Sequence, residues 1–173
     1  MAGPKADERA WIGGAQAGNA SDFEALFHAY WPSAYRAAYL VVHDAAAAED
    51  IAQEAFLAAV RNLDRFDRRR PFGPWLHRIV VNRAIDWSRR RRLRGEVELH
   101  DAPVDQEETD AGSDAVAAMQ RLSPEHRAVI VLRHLLGYTP GQIARLLDLP
   151  RGTVNSRLRR GLDELATLLE EER

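Results

Sequence analysis

The stretch at residues 138–165, YTPGQIARLLDLPRGTVNSRLRRGLDEL, admits few folds: two helices separated by a break short enough to require a sharp turn. Thr139 offers a hydroxyl to cap the first helix, Pro140 suits its first turn, and Ile143, Leu146 and Leu147 fall at helical spacing. Asp148, Leu149 and Pro150 then interrupt it, since proline cannot continue one helix but is tolerated at the start of the next. At about 100° per residue, Val154, Leu158, Leu162 and Leu165 line one side of the second helix. Gly152, Thr153, Ser156, Arg159 and Arg160 point away, with Asn155 and Arg157 on the flanks. That polar, arginine-bearing face fits a DNA major groove: Gly152 lets the backbone approach a phosphate, and Arg159 and Arg160 reach phosphates or a guanine edge. A solvated amphipathic helix in an ordinary bundle has the same pattern.

A net charge of −2 over 173 residues argues against a nucleic-acid partner until the charge is divided along the chain. Residues 1–60 carry −5, 61–94 carry +9, 95–114 carry −8 and 115–173 carry +2. The acidic stretch, GEVELHDAPVDQEETDAGSD, has few large apolar residues and should not fold alone; self-repulsion keeps such a chain extended. The sequence therefore predicts an all-α protein of two small helical domains, at 21–94 and 115–170, joined by a flexible acidic linker at 95–114. A flexible tail is expected at 1–20, although Trp11 and Ile12 also suit a short docking helix, and no further domain is expected after Arg173.

In the first domain Ser21 is the expected cap of a helix carrying Phe23, Leu26, Phe27, Tyr30 and Trp31 on one face, which Pro32 would kink or divide. The next segment, AAAAEDIAQEAFLAAVRNLDRF, turns Ile51, Ala55, Phe56 and Val60 inward and Glu49, Asp50, Gln53 and Glu54 outward. No histidine stands at ligand spacing beside those carboxylates, so the face suits solvent or a protein partner better than a metal. DRFDRRRPFGPW then sets arginines among Phe66, Phe72 and Trp75. Cations interleaved with aromatics suit single-stranded bases, and arginines above buried aromatics give the same pattern. The helix that follows buries Leu76, Ile79, Val80, Ala84 and Trp87, and exposes Arg78, Asn82, Arg83, Asp86 and Arg90. It ends in Arg89 to Arg92, a run that attracts an extended anion and also complements the helix dipole.

Cysteine is absent, which excludes disulfides and thiolate metal sites, and the six histidines form no metal, triad or phosphate-loop signature. No catalytic residue, cofactor or metal is expected. The start, MAGPKADERAW, has neither the charged nor the apolar block of a signal peptide, and no apolar run reaches membrane-spanning length. A cytoplasmic protein without membrane insertion is expected.

Four segments, FEALFHAYWPSAYRAAY, AEDIAQEAFLAAVRNLDRF, PWLHRIVVNRAIDWSRRRR and LSPEHRAVIVLRHLLGYTPGQIARLLDLPRGTVNSRLRRGLDEL, together resemble the extracytoplasmic-function group of bacterial sigma factors. The resemblance implies a non-enzymatic specificity subunit that joins RNA polymerase core and directs promoter-specific initiation under the control of an anti-sigma factor. By that resemblance Asp50, Gln53 and Glu54 dock on the clamp of the largest core subunit. Phe66 with Arg68 and Arg69 captures an unstacked base of the minus-ten element, with Asn82, Arg83 and Arg90 on the adjoining helix. Gly152, Thr153, Asn155, Ser156, Arg159 and Arg160 meet the minus-thirty-five element. The chain departs from the family pattern at Pro150 and Arg151, where a serine-like cap is frequent, and at His43, where glycine is frequent. The alternative is a stand-alone helix-turn-helix regulator, which normally needs a dimerisation element to read paired half-sites.

Overall fold

The computed structural model describes residues 6–95 and 110–171, and every regular element among them is helical. The acidic linker expected at 95–114 falls largely outside the described residues; its last part is already helix, because α5 begins at Asp110.

The first unit is built from α1 (Ala6–Gln16), α2 (Ala20–Val42), α3 (Ala45–Asn62) and α4 (Phe72–Leu93). Helix α2 is capped by Asn19, whose side chain accepts from the Ser21 N–H at 3.0 Å, and so begins two residues earlier than a Ser21 cap would place it. Pro32 does not divide this helix; it stands on the exposed side, where losing one helical hydrogen bond costs least. His43 ends α2 in the left-handed conformation, φ 53°, its N–H reaching the Tyr39 carbonyl at 2.7 Å. Asp44 follows at once as the cap of α3, accepting from the Ala47 N–H at 2.9 Å. A two-residue joint therefore reverses the chain and packs α3 antiparallel on α2, with Ala34, Ala37, Ala38, Ala48, Ala52 and Ala55 allowing close approach.

Val60, expected inside, is 42% exposed, and Leu57 is more exposed still. The buried residues of α3 end with Phe56 and Ala59. The region expected as a tail forms α1, which packs on α2 and buries Ile12 completely. Trp11 packs against the same core from a half-buried position, and Glu8 and Gln16 add hydrogen bonds to distant backbone.

The second unit comprises α5 (Asp110–Arg121), α6 (Pro124–Ile130), α7 (Pro140–Leu147) and α8 (Arg151–Glu171). Ser123 caps α6, which runs into a π-helical turn at Val131–Leu135 before Gly137, φ 73°, turns the chain toward α7. Helices α5, α6 and α7 all pack against α8. The two units also pack on each other, α4 touching α6 and α7, so that buried residues of both form one continuous core. No helix among the described residues is long and apolar enough to cross a membrane.

Candidate nucleic-acid interface

The turn between α7 and α8 is set by local chemistry. Thr139 and Gln142 form a reciprocal capping box: the Thr139 oxygen accepts from the Gln142 N–H at 3.3 Å, and Gln142 Oε1 accepts from the Thr139 N–H at 2.8 Å. Asp148 closes α7 in the left-handed conformation, φ 53°, and the Leu149 N–H returns to the Ala144 carbonyl at 2.9 Å. The Pro150 carbonyl then accepts from Thr153 and Val154, starting α8.

Val154 and Leu158 hold α8 down, while Gly152, Asn155, Arg159 and Arg160 are exposed, and Thr153 and Ser156 are half-buried beside them. Leu162, expected on the inner side, is 39% exposed. Its place is taken by Gly161, which is buried: a Cβ there would lie 3.1 Å from Ile130 Cδ1 and 3.2 Å from His126 Cβ. Helix α6 approaches α8 closely at Gly161, a position without a side chain, and a hydropathy pattern gives glycine no weight, so the sequence carries no signal of it.

In the loop before α4, a 3-10 turn at Leu63–Arg65 leads to Phe66, whose ring stacks on Trp75 with centroids 4.5 Å apart and meets Phe72 edge-on at 6.0 Å. Phe66 is thus half-buried and packed, with its remaining face on an open cleft of about 850 Å³ shared by Arg78, Tyr138, Gln142 and Arg145. Asp67 grips Arg69 through Nε at 3.0 Å and Nη2 at 3.1 Å, and these bonds hold the Asp67 carboxyl below its ordinary range. Arg68 and Arg70 are exposed on either side.

On α4, Asn82 and Arg83 are half-buried and Arg90 is exposed. Arg83 pairs with Glu54 of α3 at 2.6 Å, and Arg90 Nε donates to the Asp86 carbonyl at 3.3 Å. The run Arg89 to Arg92, expected to face an extended anion, is partly engaged within the fold. Arg89 binds Glu125 of α6 at 2.6 Å, and Arg91 reaches Asp44 at 3.2 Å while lying over the Trp87 ring at 5.1 Å. Sequence could not reveal either acid, because each is distant along the chain. Asp50, Gln53 and Glu54 stand exposed on one side of α3, where Gln53 Nε2 donates to Glu49 at 3.2 Å. The expected polymerase-docking and minus-ten residues therefore meet in the Glu54–Arg83 pair, which is exposed and contributes little to folding.

At the junction of the two units, Tyr138 is buried with its hydroxyl 2.8 Å from His77 Nδ1, and His77 Nε2 lies 3.0 Å from Ser33 Oγ. Burial pushes the His77 imidazole down to about 4. His43 is buried without a partner for either ring nitrogen; desolvation first, then the Arg127 guanidinium, pushes it down to about 3. Arg127, itself buried on α6, is lowered to about 10 by desolvation, with Arg92 adding to the effect. No group of histidine and acidic residues suited to a metal ion occurs among the described residues.

The sequence matches Sigma-70 region 2 over residues 26–94 and Sigma-70 region 4 over residues 114–165. It is 35% identical over 156 residues to the ECF RNA polymerase sigma factor SigM of Mycobacterium tuberculosis, covering 88% of this chain and 80% of that one. It is 31% identical over 172 residues to the ECF RNA polymerase sigma factor SigW of Bacillus subtilis, covering 89% and 92%. Among solved structures, CnrH in complex with the cytosolic domain of CnrY superposes with a TM-score of 0.74 at 30% identity, over 96% of this chain and 99% of that one. The sigma factor RpoE of Bartonella quintana, solved with the anti-sigma factor NepR, shares the fold at a TM-score of 0.72, 24% identity, and 88% and 99% coverage.

Proposed function

This chain belongs to the extracytoplasmic-function group of RNA polymerase sigma factors, and from that premise we propose how its residues divide the work of promoter selection. It is a transcription initiation factor that binds RNA polymerase core and promoter DNA. Residues 21–94, with α1 docked on them, form the unit that holds core and reads the minus-ten element; residues 115–170 read the minus-thirty-five element. The chain itself catalyses nothing and works in the cytoplasm, where the polymerase supplies nucleotidyl transfer.

The observation that carries this reading is the outer face of α8. Val154, Leu158 and Gly161 fix the helix on α6 and α7, which leaves Gly152, Asn155, Arg159 and Arg160 directed to solvent on a rigid support. Thr153 and Ser156 complete a surface that offers hydroxyls and an amide to base edges and guanidiniums to guanine or phosphate. In the first unit, Asp50, Gln53 and Glu54 give the clamp an acidic helix face. Phe66, Arg68, Arg69, Asn82, Arg83 and Arg90 provide the aromatic and cationic groups for the separated strand.

The packed arrangement of the two units places α7 across the cleft beside Phe66. The two promoter elements lie several tens of ångströms apart along a duplex, so the units part before both are read together. An anti-sigma factor that favours the packed arrangement would keep the protein silent; the sigma factor RpoE of Bartonella quintana was solved in complex with an anti-sigma factor, NepR.

Promoter-dependent transcription with reconstituted holoenzyme tests the reading. Adding the chain to core should create selectivity for promoters mapped from its own induced transcripts. Arg160→Ala should weaken minus-thirty-five recognition by about 1–3 kcal/mol while core affinity is kept. Tight, specific duplex binding without core would instead indicate a stand-alone regulator.

A further inference from the structure

We infer that α1 is a positioning element for the loop that carries Phe66, acting through Gln16 and Glu8; this rests on the reading of that loop as the minus-ten reader. The loop at residues 63–71 has little to fix it from within. Its own contacts are the Phe66 N–H to the Leu63 carbonyl at 3.0 Å, the Arg70 N–H to the Asp67 carbonyl at 2.9 Å, and the bonds from Arg69 to the Asp67 side chain. Beside the packing of the Phe66 ring on Trp75, Gln16 supplies a constraint on the loop's backbone from the end of α1. Its single amide nitrogen donates to the Leu63 carbonyl at 2.9 Å and to the Phe66 carbonyl at 2.8 Å, closing the 3-10 turn from outside. Both bonds are to backbone, so they set the direction in which the Phe66 ring leaves the chain without specifying what it touches.

Glu8 grips the other end. Pro71 occupies the N-cap of α4 and has no side-chain acceptor for the first N–H groups of that helix. Glu8 Oε1 accepts from the Phe72 N–H at 3.2 Å and from the Tyr30 hydroxyl, and a carboxylate at that helix end also complements the dipole. Glu8 is 7% exposed and Ile12 wholly buried between the two grips, so α1 is seated rather than draped. Gly13 brings α1 within reach of the loop's cations: a Cβ there would lie 3.3 Å from Arg68 Nη1. One helix thus holds the loop at residues 63 and 66 and the start of α4 at Phe72, and leaves Arg68 to Arg70 exposed between the fixed points.

The test uses holoenzyme reconstituted from core with wild-type chain, Gln16→Ala, Gln16→Glu, Gln16→Lys or Phe66→Ala. Three quantities are read: core affinity, duplex affinity at the minus-thirty-five element, and permanganate reactivity of the separated strand at promoters mapped from the protein's own transcripts. Gln16→Ala and Gln16→Glu remove the donor and should lower strand opening roughly tenfold, with core and minus-thirty-five affinities held within about twofold. Hydrogen exchange should quicken in a peptide spanning 61–71 and stay unchanged in α2 and α3. Gln16→Lys keeps a donor and should recover part of the opening. Wild-type opening in Gln16→Ala, alongside impaired opening in Phe66→Ala, overturns the positioning role. A parallel fall of all three quantities overturns it too, by making Gln16 a general stabilising residue. Normal opening in Phe66→Ala would instead refute the loop's assignment to the minus-ten element.

Discussion

The Tyr138 hydroxyl, on the threshold of the helix-turn-helix, donates to Nδ1 of His77 on α4, with 2.8 Å between the heavy atoms and both side chains buried. The direction follows from the chain of bonds behind it. Ser33 Oγ gives its proton to the Tyr30 carbonyl at 3.0 Å, so it accepts from His77 Nε2, and the neutral ring has Nδ1 free to accept. One phenol thereby joins the second unit to the interior of the first.

Tyr138→Phe removes that donor and leaves Nδ1 buried and unpaired, which costs about 1–3 kcal/mol, borne mainly by the contact between the units. Small-angle scattering of the free protein should report a larger radius of gyration, and promoter affinity of the holoenzyme should be maintained or raised. Unchanged scattering would mean that Arg89–Glu125 and the apolar contacts suffice to hold the units together.

Acid should act on the same contact. His77 titrates near 6.5 when unfolded and is pushed down to about 4 by burial, and His43 is pushed down to about 3. For a depressed group the unfolded state binds the proton first, so its stabilisation is full above pH 6.5 and is lost as pH falls toward the folded values. Each histidine contributes a slope of at most about 1.4 kcal/mol per pH unit across that window. Thermal melts between pH 7 and pH 4.5 should show Tm falling with pH. His43→Asn, whose side chain tolerates the left-handed backbone at this joint, should flatten the dependence; an equally steep curve in that variant would refute a role for His43.

Two glycines of α8 should respond in opposite ways to alanine. At Gly161 the added carbon meets Ile130 and the His126 Cβ, which is fixed to α6, so Gly161→Ala should lose about 1–3 kcal/mol to overpacking against a smaller helix-propensity gain. At Gly152 a Cβ meets nothing within 4 Å, so Gly152→Ala should hold or raise Tm. Minus-thirty-five affinity should nevertheless drop if the backbone comes close to a phosphate there. Chemical denaturation and duplex binding on the two variants separate packing from contact.

What was legible in the sequence was local. The Thr139 cap, the break at Asp148 to Pro150, and the inward Val154 and Leu158 each follow from residues within one or two turns of one another. The outward positions of Glu49, Asp50, Gln53 and Glu54 follow for the same reason, and all four are exposed. Illegible were the features that depend on distant partners. Nothing local marks Glu8, whose role depends on the Phe72 amide placed beside it, and the run Arg89 to Arg92 reads as awaiting a polyanion until Glu125 and Asp44 are placed beside Arg89 and Arg91. Leu162 and Gly161 exchanged roles because the approach of α6 was decided by shape, where hydropathy has no say.

On the reading of the loop as the minus-ten reader, the Asp67–Arg69 pair changes how it trades with the ionic atmosphere of a promoter. An arginine that already has a fixed carboxylate as its counter-ion displaces fewer condensed cations from a phosphate chain than a bare one. Strand opening should accordingly be less sensitive to salt than three consecutive arginines suggest, leaving this loop to discriminate by the fit of a flat ring rather than by cation release.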